Sequence, residues 1–71
     1  MKRRFEFVRG NSSKFWEASV SDCSVTIVFG RIGTAGQQQT KEFASPAAAQ
    51  QHADKMIAEK VRKGYLETVP V

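Results

Sequence analysis

The residues of this chain with the clearest chemical potential lie in one short segment, residues 29–37, which reads FGRIGTAGQ. A β-like run ends here in three glycines that surround a single arginine, Arg31. Glycine allows a tight turn and the close approach of a partner, and an arginine held beside such a turn presents a planar fork to phosphate or carboxylate. Phe29 precedes Arg31 by two residues, so on a strand both side chains point to the same side. An aromatic surface beside a cation suits the ends and single strands of nucleic acids.

Alternating apolar residues and short turn segments predict a sheet that positions this glycine-rich segment. The predicted strands cover residues 5–9, 14–20, 24–32 and 37–43, with a further short strand over residues 65–69 whose pairing Pro70 limits. Ser45 and Pro46 predict the start of a helix, and Gly64 its end. The helix carries one apolar face, so it is expected to pack on the sheet. The predicted fold class is α+β, an antiparallel sheet of four to five strands with one long helix packed across it.

Length and composition predict one small basic domain over residues 1–71. Eleven Lys and Arg oppose seven Asp and Glu, which gives a net charge of +4 and favours anionic partners; solubility alone is the competing explanation. The single cysteine, Cys23, cannot form an internal disulfide, which suits a reducing, cytoplasmic location. Residues 1–4 are basic but no apolar segment follows, so neither a signal peptide nor a membrane partner is expected.

The chain offers little material for catalysis. Cys23 and His52 are its only cysteine and histidine, and a nucleophilic pair would still need an orienting group and a cleft. No group of Cys, His and Asp has the spacing of a metal site. We therefore predict a non-enzymatic domain without a cofactor or a metal ion.

Several segments resemble the WGR domain of poly(ADP-ribose) polymerases and bacterial proteins, which is named after a Trp-Gly-Arg tripeptide. The similar segments are Lys14-Phe15-Trp16-Glu17, Phe29-Gly30-Arg31, Phe43 with Ser45 and Ala49, and Lys60 with Gly64-Tyr65. This chain has Phe29 where the family has its tryptophan. The resemblance implies a non-catalytic domain that binds DNA ends or nicks, with RNA not excluded, and it also implies a possible role in communication between domains.

The expected nucleic-acid contacts are stacking by Phe29, a phosphate clamp by Arg31, close backbone approach at Gly30 and Gly33, and contributions from Gln37, Lys14 and Lys41. The residues expected to be structural are Trp16, Lys60, Gly64 and Tyr65. Alternation places Phe29 with Val25 and Ile27 on a core face, whereas the resemblance implies an exposed, partner-facing position, because the tryptophan of the family stacks at a nucleic-acid end. Lys60 lies on the apolar stripe of the helix, so its ammonium is expected to reach an oxygen of Glu17, of Glu42 or of the glycine turn; a direct phosphate contact is the alternative.

A protein-interaction module is the alternative function. It would use an exposed sheet edge or an apolar patch made of Val25, Ile27 and Phe29. Exposure of Ile27 would favour this function, whereas clustering of Arg31 with Lys14 and Lys41 would favour nucleic-acid binding.

Overall fold

Antiparallel pairing between strands that follow one another in the chain builds most of the molecule. The computed structural model describes residues 2–68, with elements β1 (Lys2–Arg9), β2 (Ser12–Ser21), β3 (Ser24–Arg31), β4 (Gln37–Glu42), α1 (Pro46–Arg62) and β5 (Leu66–Thr68). The strands form one five-stranded sheet in the order β4-β3-β2-β1-β5. Short turns connect β1 through β4, and the helix then returns the chain to the opposite edge, where β5 pairs antiparallel with β1.

β1 is longer than the sequence predicts, because it begins at Lys2 rather than at residue 5. The basic residues at its start make ion pairs with residues distant in sequence. Arg3 binds Glu67 on β5 at 2.7 Å, and Arg4 binds Glu17 on β2 at 2.6 Å. The last strand is described as far as Thr68, and the predicted contributions of Val69 and Pro70 lie outside the described residues.

The helix begins and ends where the sequence predicts. The Ser45 side chain accepts a hydrogen bond from the Ala48 amide at 3.1 Å, and Pro46 occupies the first turn, where a missing N–H costs nothing. At the other end, the Tyr65 amide donates to the Lys60 carbonyl and the Gly64 amide to the Val61 carbonyl, which is a Schellman motif. Gly64 has φ +108°, and a Cβ there would lie 3.2 Å from the Phe7 ring, so glycine is needed on both counts.

The core lies between the helix and one face of the sheet. Its buried residues come from β1, β2, β3 and α1, and they are Phe5, Trp16, Ala18, Val25, Ile27, Ala49, Ala53 and Ile57. Small residues on the helix allow it to lie close to the aromatic residues of the central strands. Ile27 is only 9% exposed, so the Val25–Ile27 portion of the predicted apolar patch is core rather than an open surface.

The other face of the sheet is held by charged side chains around Glu17. Arg4 donates to Glu17 and to Glu6, Lys2 lies 3.1 Å from Glu17, and the Arg4 guanidinium stacks 4.5 Å from the centre of the Phe15 ring. Burial raises the pKa of the Glu17 carboxyl, but the hydrogen bonds from Arg4 and Lys2 outweigh burial, so this pKa lies below its ordinary value. Glu17 is thus committed to the sheet and faces away from the helix.

Candidate nucleic-acid interface

An open groove lies between the C-terminal half of α1 and the adjoining ends of β2 and β3. We call it the basic groove; its volume is about 510 Å³. Strand pairing creates its floor, because Trp16 is the cross-strand partner of Phe29 and Lys14 is that of Arg31. The lining residues are Lys14, Phe15, Trp16, Ile27, Phe29, Gly30, Arg31, Gln39, Met56, Lys60 and Tyr65.

Among the residues that the structure describes, three cationic side chains and no carboxylate line the basic groove. They are Lys14, Arg31 and Lys60. Within residues 2–68, none of the three forms a hydrogen bond or an ion pair with an acidic side chain. Glu17 and Glu42 point to the opposite face of the sheet, so neither carboxylate neutralises Arg31. The groove therefore carries positive charge available to an anion.

Lys60 does not bind the oxygen that the sequence predicts for it. Among the described residues, its ammonium makes no ion pair and lies instead 5.3 Å from the ring centre of Tyr65 and 5.8 Å from that of Trp16. Burial lowers the pKa of Lys60, repulsion from Lys63 adds to this decrease, and attraction to Glu59 opposes it. The stem of Lys60 packs on the aromatic residues, as expected, while its charge faces the groove.

Phe29 lies at the boundary between core and groove. It is half-buried and packs against the core cluster, yet it also lines the basic groove opposite Trp16. Phe29 therefore combines the two positions considered from the sequence, core and exposed. Part of its ring packs against the core, and another part is accessible from the groove. The accessible part is a surface on which a base or a sugar ring can pack.

The glycine-rich segment folds back on itself beside the groove. The Thr34 amide and hydroxyl both bind the Arg31 carbonyl, at 3.1 and 2.7 Å, which closes the turn and fixes the backbone of Arg31. A Cβ on Gly30 would lie 2.8 Å from the Gly36 Cα, so the close approach at Gly30 is made by the chain itself. Gly33 has φ +96° and open space around it, which leaves room for a partner.

The structure separates two of the expected contacts from the groove and adds others. Gln37 pairs with Phe29 and is exposed at the edge of the sheet, whereas Lys41 lies opposite Val25, about 13 Å further along β4. Lys41 is therefore not clustered with Arg31 and Lys14. Gln39, which lies on the same face of β4 as the expected Gln37, lines the groove instead of it, and Met56 lines the groove without having been predicted. The signal for Met56 was its position one turn before Lys60 on the same helical face.

Other kinds of site find little support in the described part of the chain. Across residues 2–68, no group of three or more His, Cys, Asp or Glu side chains is placed to hold a metal ion. His52 packs on Phe43, with ring centres 4.8 Å apart. In the same range, no helix combines the length and apolar character needed to cross a membrane.

The fold and the groove together define a class, that of small α+β modules with a basic, aromatic-lined groove. The chain belongs to the WGR domain family, whose model matches residues 1–70. Domains of this family are typically nucleic-acid-binding modules. The motif tryptophan is replaced by Phe29, while Gly30 and Arg31 match the motif.

Relatives with this domain are longer proteins. The chain is 39% identical over 67 residues to the uncharacterized protein YfeS of Escherichia coli strain K12, covering 94% of this chain and 28% of that protein. It is 42% identical over 65 residues to protein YehF of the same strain, covering 92% of this chain and 24% of that protein. A crystal structure of a Bacteroides fragilis protein matches with TM-score 0.95 and 46% identity, over 97% of this chain and 20% of that one. The chain thus spans about a quarter of the length of these curated relatives.

Proposed function

We propose that this chain is a non-catalytic domain that binds the ends or nicks of DNA in the basic groove. The observation that carries the proposal is the convergence of Lys14, Arg31 and Lys60 on a groove that, within residues 2–68, has no carboxylate in its lining. Such a cluster of cations attracts the negatively charged phosphate groups of nucleic acids. The aromatic residues between the cations supply apolar surface for a sugar or a base.

The shape of the groove favours an end over the middle of a duplex. It is a local depression at one end of the sheet, of about 510 Å³, rather than a long convex surface. The described residues include no helix that projects to read a major groove, since α1 packs its apolar face on the sheet. A terminal or nicked nucleotide exposes its sugar and base to such a depression, whereas an intact duplex keeps them stacked. Arg31 then holds a phosphate while Phe29 packs on the exposed sugar or base.

The test is a chemical-shift titration of the ¹⁵N-labelled chain with three DNAs in low-salt buffer. These are a nicked hairpin, an open-ended hairpin and a dumbbell closed at both ends. We expect the nicked and open DNAs to shift the amides of Lys14, Phe29, Arg31 and Lys60, and the dumbbell to bind more weakly. Arg31→Ala should remove most of the binding, and the matched change Arg62→Ala, at an exposed position outside the groove, should not. Unshifted spectra with all three DNAs would refute the proposal.

A second candidate function is supported by the edge of the sheet. All six residues of β4 are exposed, and its outer side has no neighbouring strand within residues 2–68. A partner protein can add a strand to such an edge. In that case β4 amides would become protected from hydrogen exchange when the partner binds, while DNA would leave the spectra unchanged.

A further inference from the structure

A second groove continues from the basic groove along the helix. It is lined by Val25, Ile27, Gln39, Thr40, Lys41, His52 and Met56 and has a volume of about 550 Å³. Ile27, Gln39 and Met56 line both grooves, so the two form one trough between α1 and β4. The trough exists because the helix lies over β2 and β3 and leaves the side chains of β4 uncovered.

Charge and aromatic surface recur at the far end of this trough. The Lys41 ammonium lies 5.7 Å from the ring centre of Phe43, and the other partner of that ring is His52, at 4.8 Å. Within residues 2–68, no Asp or Glu lines either groove. The far end of the trough presents Lys41 and the aromatic ring of His52, with Phe43 packed behind them. Each end therefore has a cation and an aromatic side chain, and an amide and two apolar side chains join the ends. This arrangement matches a single strand of nucleic acid, which offers phosphates along one side and bases along the other.

We infer that the second groove binds the single-stranded tail of a DNA whose end occupies the basic groove. The inference rests on the proposed function and extends it to a substrate class, namely DNA ends with an overhang. Arg31 lies six positions after Val25 on β3, so the trough formed by the two grooves is about 20 Å long. At about 3.4 Å for each stacked nucleotide, the whole trough holds roughly six nucleotides, and the second groove, as about half of it, holds a tail of roughly three.

The roles of individual residues follow from their positions. Lys41 contacts a phosphate of the tail, and Gln39 donates its amide to a phosphate or a base edge midway along the trough. His52 and Met56 provide the surface against which a base packs. Because no side chain of the trough is arranged to read a base pattern in a fixed register, the tail is bound with little sequence preference.

The experiment compares a blunt hairpin with the same hairpin carrying a tail of about four thymidines, at either the 5′ or the 3′ strand. Binding is measured by fluorescence anisotropy and mapped by chemical shifts. We expect at least one tail to tighten binding about fivefold or more, and to shift the amides of Gln39, Lys41 and His52 beyond the shifts that the blunt hairpin causes. Lys41→Gln should abolish the gain from the tail while affinity for the blunt hairpin changes less than about twofold.

The matched control is Lys55→Gln, because Lys55 is an exposed lysine that lines neither groove. It should preserve both affinities. Blunt binding without any gain from either tail would overturn this inference and leave the proposed function standing, whereas binding of neither DNA would overturn both. Binding of the tail alone as a free oligonucleotide, with no preference for an end, would support the second groove and contradict the preference for ends. An equal loss on both hairpins in Lys41→Gln would show general charge attraction and would also overturn the inference.

Discussion

At the scale of single residues, one substitution can separate the packing of Phe29 in the core from its proposed contact with DNA. Its ring packs on the core and also lines the basic groove. Phe29→Leu retains most of the apolar volume but removes the aromatic face. We expect the free energy of unfolding to fall by less than about 1.5 kcal/mol and DNA affinity to fall about fivefold or more.

Urea denaturation and anisotropy on this variant give the two quantities separately. Phe29→Ala provides the contrast, because it should cost about 2 kcal/mol of stability, less than the 3–5 kcal/mol typical of fully buried phenylalanine. If Phe29→Leu bound DNA as the unaltered chain does, the ring would have a packing role only.

Lys60 is the residue for which the structure changes the expectation most. Among residues 2–68 the Lys60 ammonium has no oxygen partner. Removing it in Lys60→Met therefore leaves no hydrogen-bond acceptor unsatisfied in this part of the chain. The variant removes a partly buried charge, which costs free energy to bury, and also loses cation–π contacts of about 0.5–1 kcal/mol. The free energy of unfolding should therefore change by less than about 1 kcal/mol.

DNA binding by Lys60→Met should weaken, and the slope of log affinity against log salt concentration should become less negative by roughly one. Urea midpoints and salt-dependent anisotropy measure both effects. A large loss of stability with an unchanged salt slope would show that Lys60 has a structural role and does not contact phosphate.

At the scale of elements, the glycine-rich turn is held by its own packing, and this can be tested at two neighbouring glycines. A Cβ on Gly36 would lie 2.5 Å from the Phe29 carbonyl oxygen and 2.7 Å from the Phe15 ring, at φ +74°. Gly33 also has positive φ, +96°, but a Cβ there meets no atom within 4 Å. Gly33→Ala should therefore cost about 1–2 kcal/mol, the cost of the backbone conformation alone.

Gly36→Ala should cost clearly more than Gly33→Ala, because backbone atoms cannot move aside as a flexible side chain can. It should also displace the Arg31 turn, so that residual folded protein binds DNA weakly. Thermal unfolding followed by circular dichroism ranks the two variants, and equal losses would contradict the packing described here.

The ion pairs around Glu17, on the face of the sheet that points away from the helix, should make the free energy of unfolding sensitive to acid. The pKa of Glu17 lies below its ordinary value in the folded chain because of Arg4 and Lys2. Its contribution is present at pH values above the unfolded pKa, near 4.3, and is lost as the pH falls through the lower folded pKa. Glu17→Gln should be less stable by about 1–3 kcal/mol at pH 7, and the difference from the unaltered chain should shrink below about pH 4.

Melting temperatures between about pH 2 and pH 7 measure this difference. Glu59→Gln is the control, because Glu59 is an exposed helix residue whose side chain makes no hydrogen bond or ion pair within the described range. A pH-independent difference for Glu17→Gln would remove the electrostatic explanation.

The elements themselves follow largely from local sequence, whereas their contacts do not. The Ser45-Pro46 start, the Gly64 end and the short turns predict the helix and the four consecutive strands, because caps and turns depend on neighbouring residues. The early start of β1 could not be predicted, since it depends on ion pairs to distant residues. The sequence also listed Lys41 together with Arg31 among the expected nucleic-acid contacts. Their separation depends on cross-strand register, which neighbouring residues do not determine.

At the scale of the whole molecule, charge predicts how binding responds to salt. Three cations line the basic groove, and each phosphate neutralised contributes about −0.9 to the slope of log affinity against log salt. A blunt DNA end should therefore give a slope of about −3, with affinity in the range of roughly 10⁻⁴–10⁻⁶ M at physiological salt. Anisotropy titrations across salt concentrations measure the slope.

Arg31→Ala should make this slope less negative by roughly one, while Arg62→Ala should leave it unchanged. A slope near zero for the unaltered chain would mean that phosphate contacts do not drive binding, and would point to association through apolar surface instead.

The pairing of β5 with β1 has a mechanical consequence. Arg4 is the cross-strand partner of Thr68, so the start of β1 and the end of β5 lie side by side at the same end of the sheet. Tension applied between them loads the three residue pairs of β1 and β5 one after another, like a zipper, rather than all together. This end of the sheet is remote from Lys14 and Arg31, because Lys14 pairs with Phe7 near the other end of β1. A modest pull should peel β5 away first and leave the four-stranded remainder and its groove in place.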